Sequence, residues 1–367
     1  MQVIQEQLRD FDVTGFQENL VNWFLENQRA LPWRESKDPY RVWVSEIMLQ
    51  QTRVDTVIPY YQAFIREFPT LEALAEAEED QILKAWEGLG YYSRVRNLQT
   101  AVKEVVEKYE GTVPNTREEI LSLRGVGPYT AGAILSIAYG KAEPAVDGNV
   151  MRVLSRVFII EEDIAKPATR KIFEGILYDL VSKENPSAFN QGLMELGALI
   201  CTPTSPGCLL CPVKVRCSAN QKGIQAELPI KSKKKKQTVK QMAAIVLKNQ
   251  YGEVLIEKRP ETGLLARLWQ FPNMETTGMD DQRKLLSEFL VNDFEIGAEV
   301  GRAIQHVEHV FSHLVWNITV FEGQVKGRAN LESETRKWVP TDSIEKYAFP
   351  VSHQKIIQHS LMDSSLA

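Results

Sequence analysis

The four cysteines of the chain, Cys201, Cys208, Cys211 and Cys217, fall in one short segment with the spacing C-x6-C-x2-C-x5-C. Four thiolates so grouped can hold a tetrahedral zinc or an iron-sulfur cluster, whereas disulfides would be out of place in a long chain with no secretory signal. Zinc sites more often carry two C-x2-C knuckles, and here only Cys208 and Cys211 have that spacing, so the pattern leans to the cluster and leaves zinc open. A reducing compartment follows from either. All five histidines, His306, His309, His313, His353 and His359, lie in the last third. Chemistry in the first two thirds must therefore rest on carboxylates, tyrosine, lysine or the metal.

The elements that position these groups can be read from patterning. The chain has 367 residues, 44% of them hydrophobic, enough for two or three domains with their own cores. No basic segment followed by an apolar run opens it, and no stretch approaches the ~20 apolar residues of a membrane span, so a cytoplasmic protein without membrane contact is expected. A net charge of -5 argues against binding a polyanion by bulk charge and leaves that task to local surfaces or backbone amides. From Thr14 to about Ile200 the apolar spacing is helical, as in Phe16, Leu20, Trp23 and Phe24, which predicts an all-α region spanning 1–229. Residues 230–240, with a lysine run, read as a solvated linker. Beyond it, in 241–367, Met242–Leu247 and Val254–Ile256 flank Asn249-Gln-Tyr-Gly252 as a β-hairpin. Leu314–Phe321 reads as a strand and Asp281–Leu290 as a helix, so this domain is α+β.

Thr116-Arg-Glu-Glu119 fits a capping box, and Gly125-Val-Gly127 stops the helix it starts. Pro128 then opens a second helix, Tyr129 to Tyr139, so 116–139 reads as two helices on a glycine turn. The amides of that turn can bind a phosphate without lysine. Leu123-Arg-Gly-Val-Gly-Pro-Tyr-Thr-Ala131, then Asp147, then the cysteine loop 201–217, resemble in order and spacing the helix-hairpin-helix base-excision DNA glycosylases. Arg124 departs from the proline usual there. Leu31-Pro-Trp-Arg34, Ser45-Glu-Ile-Met-Leu-Gln-Gln-Thr52, Gly88-Leu-Gly-Tyr-Tyr-Ser-Arg94 and Phe311-Ser-His-Leu314 narrow the resemblance to MutY-type adenine DNA glycosylases over nearly the whole chain. The last domain resembles the Nudix fold but lacks, in Gly278–Asn292, the carboxylate cluster of a Nudix hydrolase.

The resemblance implies a nucleoid-associated monomer with one [4Fe-4S] cluster on the four cysteines, and duplex DNA with adenine opposite 8-oxoguanine or guanine as substrate. It implies a monofunctional glycosylase that flips adenine out and hydrolyses its N-glycosidic bond to begin base excision repair. Tyr129 stands where bifunctional relatives carry a lysine, and a phenol cannot form their Schiff base. By the same resemblance Glu46, in a helix among Trp43, Val44, Ile47, Met48 and Leu49, is the acid that protonates the purine, because desolvation there would keep its proton. Asp147 reads first as the N-cap of a helix from Val150 to Phe158, and the resemblance adds stabilisation of the sugar cation by a carboxylate kept ionised at the helix start. Tyr129 and Asn149 support these two, and Arg34 lines the adenine pocket. Gln51 and Tyr91 fill the gap left by the flipped base, with Thr52 and Leu89 beside the orphaned purine, while Gly125 and Gly127 face a phosphate. Ser312 accepts the N7–H that 8-oxoguanine has and guanine lacks, and Phe311 and His313 shape its loop.

Overall fold

A computed structural model describes residues 8–232, 236–325 and 331–362. By packing, the chain forms two compact units, Met1–Glu76 with Asn97–Lys233 and Ala77–Arg96 with Lys234–Ala367. Among the described residues no helix is long and apolar enough to cross a membrane.

The first unit is all-α. Its Val13–Asn27 helix buries Phe16, Leu20 and Phe24 on one stripe, as the spacing predicts, and packs against the Pro186–Leu199 helix. The Pro39–Leu49 helix starts where Asp38 accepts the N–H groups of Tyr40 at 2.8 Å and Arg41 at 3.1 Å, with Pro39 in its first turn. Every residue from Val42 to Met48 is buried, so this helix lies inside the unit and carries Glu46 with it.

The two-helix element is Arg117–Ser122 and Pro128–Ile137. Thr116 Oγ1 accepts the Glu119 N–H, and the Thr116 hydroxyl donates to the Glu119 carboxylate, so the expected capping box forms by a different second bond. Gly125 has φ +78°, and a Cβ there would stand 2.7 Å from the Asn97 Cβ. Glycine is required for both reasons. Arg124 departs from proline without loss of order, since its Nε donates to Asn97 Oδ1 at 3.2 Å. At Gly132 a Cβ would meet the Pro144 carbonyl oxygen at 1.9 Å, so the second helix approaches the chain leading to Asp147 as closely as backbone allows. The next helix, Gly148–Phe158, begins earlier than the expected Val150 because Asp147 caps it, accepting the Val150 N–H at 2.7 Å.

The second unit is α+β. β1 (Thr238–Lys248), β2 (Val254–Lys258), β3 (Trp269–Gln270), β5 (Ala298–Val310) and β6 (Leu314–Val325) form a sheet in the order β3-β2-β1-β6-β5, with β4 (Asn273–Glu275) on β1 and β7 (Arg336–Val339) on β2. Among the described residues only the β1–β6 pairing is parallel. Alternation along β1 sends Met242, Ala244 and Val246 to a core with Ile256, Ile318 and Ile356 of the Val351–Ile357 helix. Ala243, Ile245 and Leu247 go to the opposite face, against Leu286, Leu290 and Phe294 of the Gln282–Phe294 helix. The sheet is thus covered on both sides. His353 is buried in the first of these cores, accepts the Phe271 N–H at Nδ1, and is pushed down to about 3 by burial first and then by Arg259 and His309.

Two boundaries differ from the patterning. β1 already includes Thr238–Lys240 of the expected linker. Ile230 and Ser232 hydrogen-bond back to the first unit, at the Ile164 N–H and the Asp163 carboxylate. Residues 233–235 of the lysine run lie outside the described residues. Residues 77–96, patterned like the helices around them, belong with the sheet. Asp80 pairs with Lys258 at 2.6 Å, Glu79 with Arg267 at 2.5 Å, and Glu87 accepts the Phe349 N–H at 2.7 Å.

Candidate active site

A cavity of about 170 Å³ opens inside the first unit, on the scale of a cavity that takes up one aromatic ring. Arg34, Glu46, Thr52, Tyr129, Asp147 and Asn149, from four separate stretches of chain, all line it. Glu46 is 5% exposed, and the Tyr129 hydroxyl donates to its Oε2 at 2.5 Å. Burial pushes Glu46 up to about 7, the like charge of Asp147 adds to this, and the Tyr129 bond and Arg34 oppose it. Tyr129 itself is held far above the phenol range by burial, Glu46 and Asp147, so it remains a donor at neutral pH. Its hydroxyl also lies 3.6 Å from the Met194 sulfur.

Asp147 accepts the Val150 N–H at Oδ1 and the Asn149 side-chain amide at Oδ2, at 2.7 and 2.8 Å. These bonds were expected to dominate, but burial wins and sets Asp147 above its ordinary value, with Val150, Asn149 and Arg152 only partly offsetting it. Burial disfavours an unpartnered negative charge there, and a positive group beside it would offset that cost. Asn149 is fixed in turn. Its Oδ1 accepts from Arg152 at 2.8 Å, and a Cβ at Gly197 would stand 2.6 Å from the Asn149 Cβ.

Sequence patterning missed the group that fixes Arg34. Glu195, 2% exposed, accepts from Arg29 at 2.7 and 2.9 Å and from Arg34 at 3.1 Å. Burial alone would raise Glu195, yet the two arginines bring it down to about 2. Arg34 also donates to Gln191 and to the Arg29 carbonyl, so its guanidinium has a single orientation at the cavity wall. A wider groove shares Tyr129, Asp147 and Asn149 with the cavity and is lined further on by Gln51, Gly125, Gly127, Arg170 and Lys231. Gln51 lies at φ +59°, in the left-handed region, at the mouth of this groove.

The second unit gathers Tyr91, Phe311, Ser312 and His313 around another cavity of about 440 Å³. Leu89 does not join them, being 6% exposed and turned into the interior.

The cysteine loop can be tested against the metal that its donor set suggests. Burial pushes Cys211 up to about 12, and Cys201, Cys217 and Cys208 each add to the shift, so the four sulfurs share one neighbourhood. Among the described residues no three His, Cys, Asp or Glu side chains are gathered about a single metal ion. Buried thiols this resistant to ionisation become thiolates on a metal that displaces their protons. Arg156 donates to Cys201 Sγ at 3.2 Å and to the Thr202 and Pro203 carbonyls, bracing the loop against the Gly148–Phe158 helix. Arg152, one turn earlier, donates to the Cys201 carbonyl at 2.8 Å. The donor types are those of a tetrathiolate group, but the described side chains are not drawn together into one.

Comparison with known proteins places both units. Residues 44–177 match the HhH-GPD superfamily base excision DNA repair protein family, and residues 242–359 match the NUDIX domain. The adenine DNA glycosylase of Rattus norvegicus is 34% identical over 95% of this chain and 78% of its own. That of Buchnera aphidicola subsp. Schizaphis graminum is 35% identical over 94% and 98%. A solved structure of a thermostable thymine-DNA glycosylase superposes with a TM-score of 0.51 at 29% identity, covering 57% of this chain and 97% of that one. With a helix-hairpin-helix unit, a Nudix-like unit and relatives aligned along both, the chain belongs to the adenine DNA glycosylase family of base-excision enzymes.

Proposed function

We propose that the protein removes adenine mispaired with 8-oxoguanine or guanine in duplex DNA, by acid-assisted hydrolysis of the N-glycosidic bond and without cutting the strand. The observation that carries this reading is the pairing in one cavity of Glu46, poised near neutrality, with Asp147, hydrogen-bonded at a helix start. Adenine leaves poorly as an anion, so a proton must reach a ring nitrogen as the bond stretches, and positive charge then grows on the sugar. Glu46 gives that proton while Tyr129 holds its other reach fixed. Asp147 answers the sugar's charge as neutral adenine leaves, and water then bonds to the sugar carbon while its proton passes to a carboxylate, which completes the hydrolysis. Arg34, locked by Glu195, lines the base pocket. Gln51 and the Gly125–Gly127 turn hold the opened strand, and Ser312 with Phe311 and His313 reads the purine opposite.

The four cysteines suit a [4Fe-4S] cluster, which would fix the loop rather than take part in bond breaking. Iron analysis is expected to find about four irons per chain in the wild type and a loss of iron in Cys208→Ser, with weakened duplex binding alongside. A Cys208→Ser protein with full iron and unchanged affinity would exclude this role.

The whole reading is tested by single-turnover release from a duplex with one adenine opposite 8-oxoguanine, sampled with and without alkali. Strand breaks that appear only after alkali are the expected result. Breaks without alkali would mean a lyase, and tight binding with no base loss would mean a reader without glycosylase activity.

A further inference from the structure

Two arginines, Arg29 and Arg34, line the same cavity as Glu46 and Asp147. Glu46 must keep its proton until the purine takes it, and a positive charge beside a buried carboxyl favours losing that proton early. Arg34 already acts on Glu46 in this direction. A second uncompensated guanidinium at the same wall would add to the effect, because charges interact strongly where water is scarce.

Glu195 stands between the two. Its carboxylate accepts from Arg29 Nε and Nη2 at 2.7 and 2.9 Å and from Arg34 Nη2 at 3.1 Å, and it also accepts the Arg29 backbone N–H at 3.2 Å. Burial pushes this carboxyl up, but the two arginines outweigh burial and bring it down to about 2, so it stays ionised across the range in which Glu46 titrates. Two cations and one anion leave the group a single positive charge. The other bonds of Arg34 fix its direction. Nε donates to Gln191 Oε1 at 3.0 Å, and the Gln191 amide is itself oriented by donating to Ser187 Oγ at 3.1 Å. Nη1 donates to the Arg29 carbonyl at 3.1 Å and to Glu195 Oε1 at 3.4 Å. Four of the five guanidinium N–H groups are thus engaged within the protein, and one on Nη2 is left for an acceptor nitrogen of the base.

We propose that Glu195 is a positioning residue of the reaction, which joins Arg29 and Arg34 into one group, leaves Arg34 a single N–H for the base, and makes the cavity's two carboxylates face one positive charge instead of two. The inference rests on the reading of Glu46 as the acid. Glu46 is faced by Tyr129, Asp147 and Arg34, while Arg170 acts on Tyr129 and Arg152 on Asp147. None of these other groups changes when Glu195 is replaced, so the charge presented through Arg34 is the quantity that varies. Glu195 touches neither base nor sugar and acts through the arginine.

The test follows single-turnover adenine release against pH in wild type, Glu195→Gln, Glu195→Asp and Arg29→Gln. Glutamine at 195 leaves the group two positive charges, aspartate keeps one, and glutamine at 29 leaves none. The break expected near pH 7 in the wild type should move down by roughly one unit in Glu195→Gln, stay in place in Glu195→Asp and move up in Arg29→Gln. At pH 5, where Glu46 keeps its proton in every variant, Glu195→Gln should still lose roughly tenfold because Arg34 is loosened, and the deficit should widen by about another tenfold at pH 8. Where melting curves show that Glu195→Gln does not fold, Arg29→Gln carries the test, since that side chain is 33% exposed and its loss leaves the Glu195–Arg34 pair in place. A Glu195→Gln deficit of the same size at every pH, with the break unmoved, overturns the inference and reduces Glu195 to packing. An unmoved break in Arg29→Gln overturns it as well. A wild-type break that persists in Glu46→Gln overturns the reading of Glu46 as the acid, and the inference falls with it.

Discussion

Replacing Glu46 by glutamine is expected to slow adenine release by roughly 10²- to 10⁴-fold, the range for loss of a positioned general acid. The substitution is close to isosteric, and the amide oxygen still accepts the Tyr129 hydroxyl that now bonds Oε2 at 2.5 Å, so the cavity should survive. What is lost is a transferable proton. The pH profile separates this from a packing defect. Burial, aided by Asp147, raises Glu46 to about 7, so wild-type release should be level below pH 7 and fall tenfold per unit above it. The variant should show a low rate with no break in that window, and a variant that retained the wild-type break would remove Glu46 from the acid's role. Stability should move the opposite way. A carboxyl raised from its ordinary value near 4.5 to about 7 contributes stability below 4.5 that is lost as pH climbs to 7. At pH 8 the wild type bears the penalty of a buried charge, and Glu46→Gln should be more stable by on the order of 2–3 kcal/mol, with little difference at pH 5. Urea denaturation at the two pH values measures this directly.

The second large effect belongs to Asp147→Asn. Asparagine caps helices about as well as aspartate, so the bond from the Val150 N–H and the start of the Gly148–Phe158 helix should both persist. If Asp147 were a cap and nothing more, activity would also persist. A negative charge beside the sugar is a different requirement, and its loss should lower single-turnover release by about 10²- to 10³-fold, as for removal of one preorganised electrostatic partner. The melting temperature should stay within a few degrees, and Glu46, relieved of a like charge, should titrate lower. Near-normal release from Asp147→Asn would reduce this residue to its structural role.

How much of this was legible in the sequence depended on how far each signal reached along the chain. Glu46, Tyr129, Asp147 and Asn149 sit in short runs whose residue order is itself informative, and the Thr116–Tyr139 element announces itself through Thr, Gly and Pro at fixed offsets. The four thiols group by spacing, but spacing alone left zinc and a cluster both open. The Arg29–Glu195–Arg34 group left no such trace, because its partners lie 166 and 161 residues apart and each alone reads as a surface charge. β5 was missed for a related reason. It is a sheet-edge strand with a bulge, where exposed and half-buried residues outnumber buried ones, so no apolar alternation marks it. Residues 77–96 have helical periodicity whichever unit they join, and only the ion pairs to Lys258 and Arg267 settle that. The upward push on Asp147 went unforeseen because hydrogen bonds are visible in a capping pattern and desolvation is not.

A domain appended at the end of a chain can be shed by a single cut, and many are exchanged between proteins in that way. The second unit here takes Ala77–Arg96 from the middle of the first, so the peptide links after Glu76, Arg96 and Lys233 all cross between the two. A stop codon near residue 233 would therefore leave Asp80, Glu79 and Glu87 facing solvent in place of Lys258, Arg267 and the Phe349 amide. Such a truncation is less a dissection than a wound, and activity lost on truncation would not by itself count as evidence for lesion recognition by the part removed.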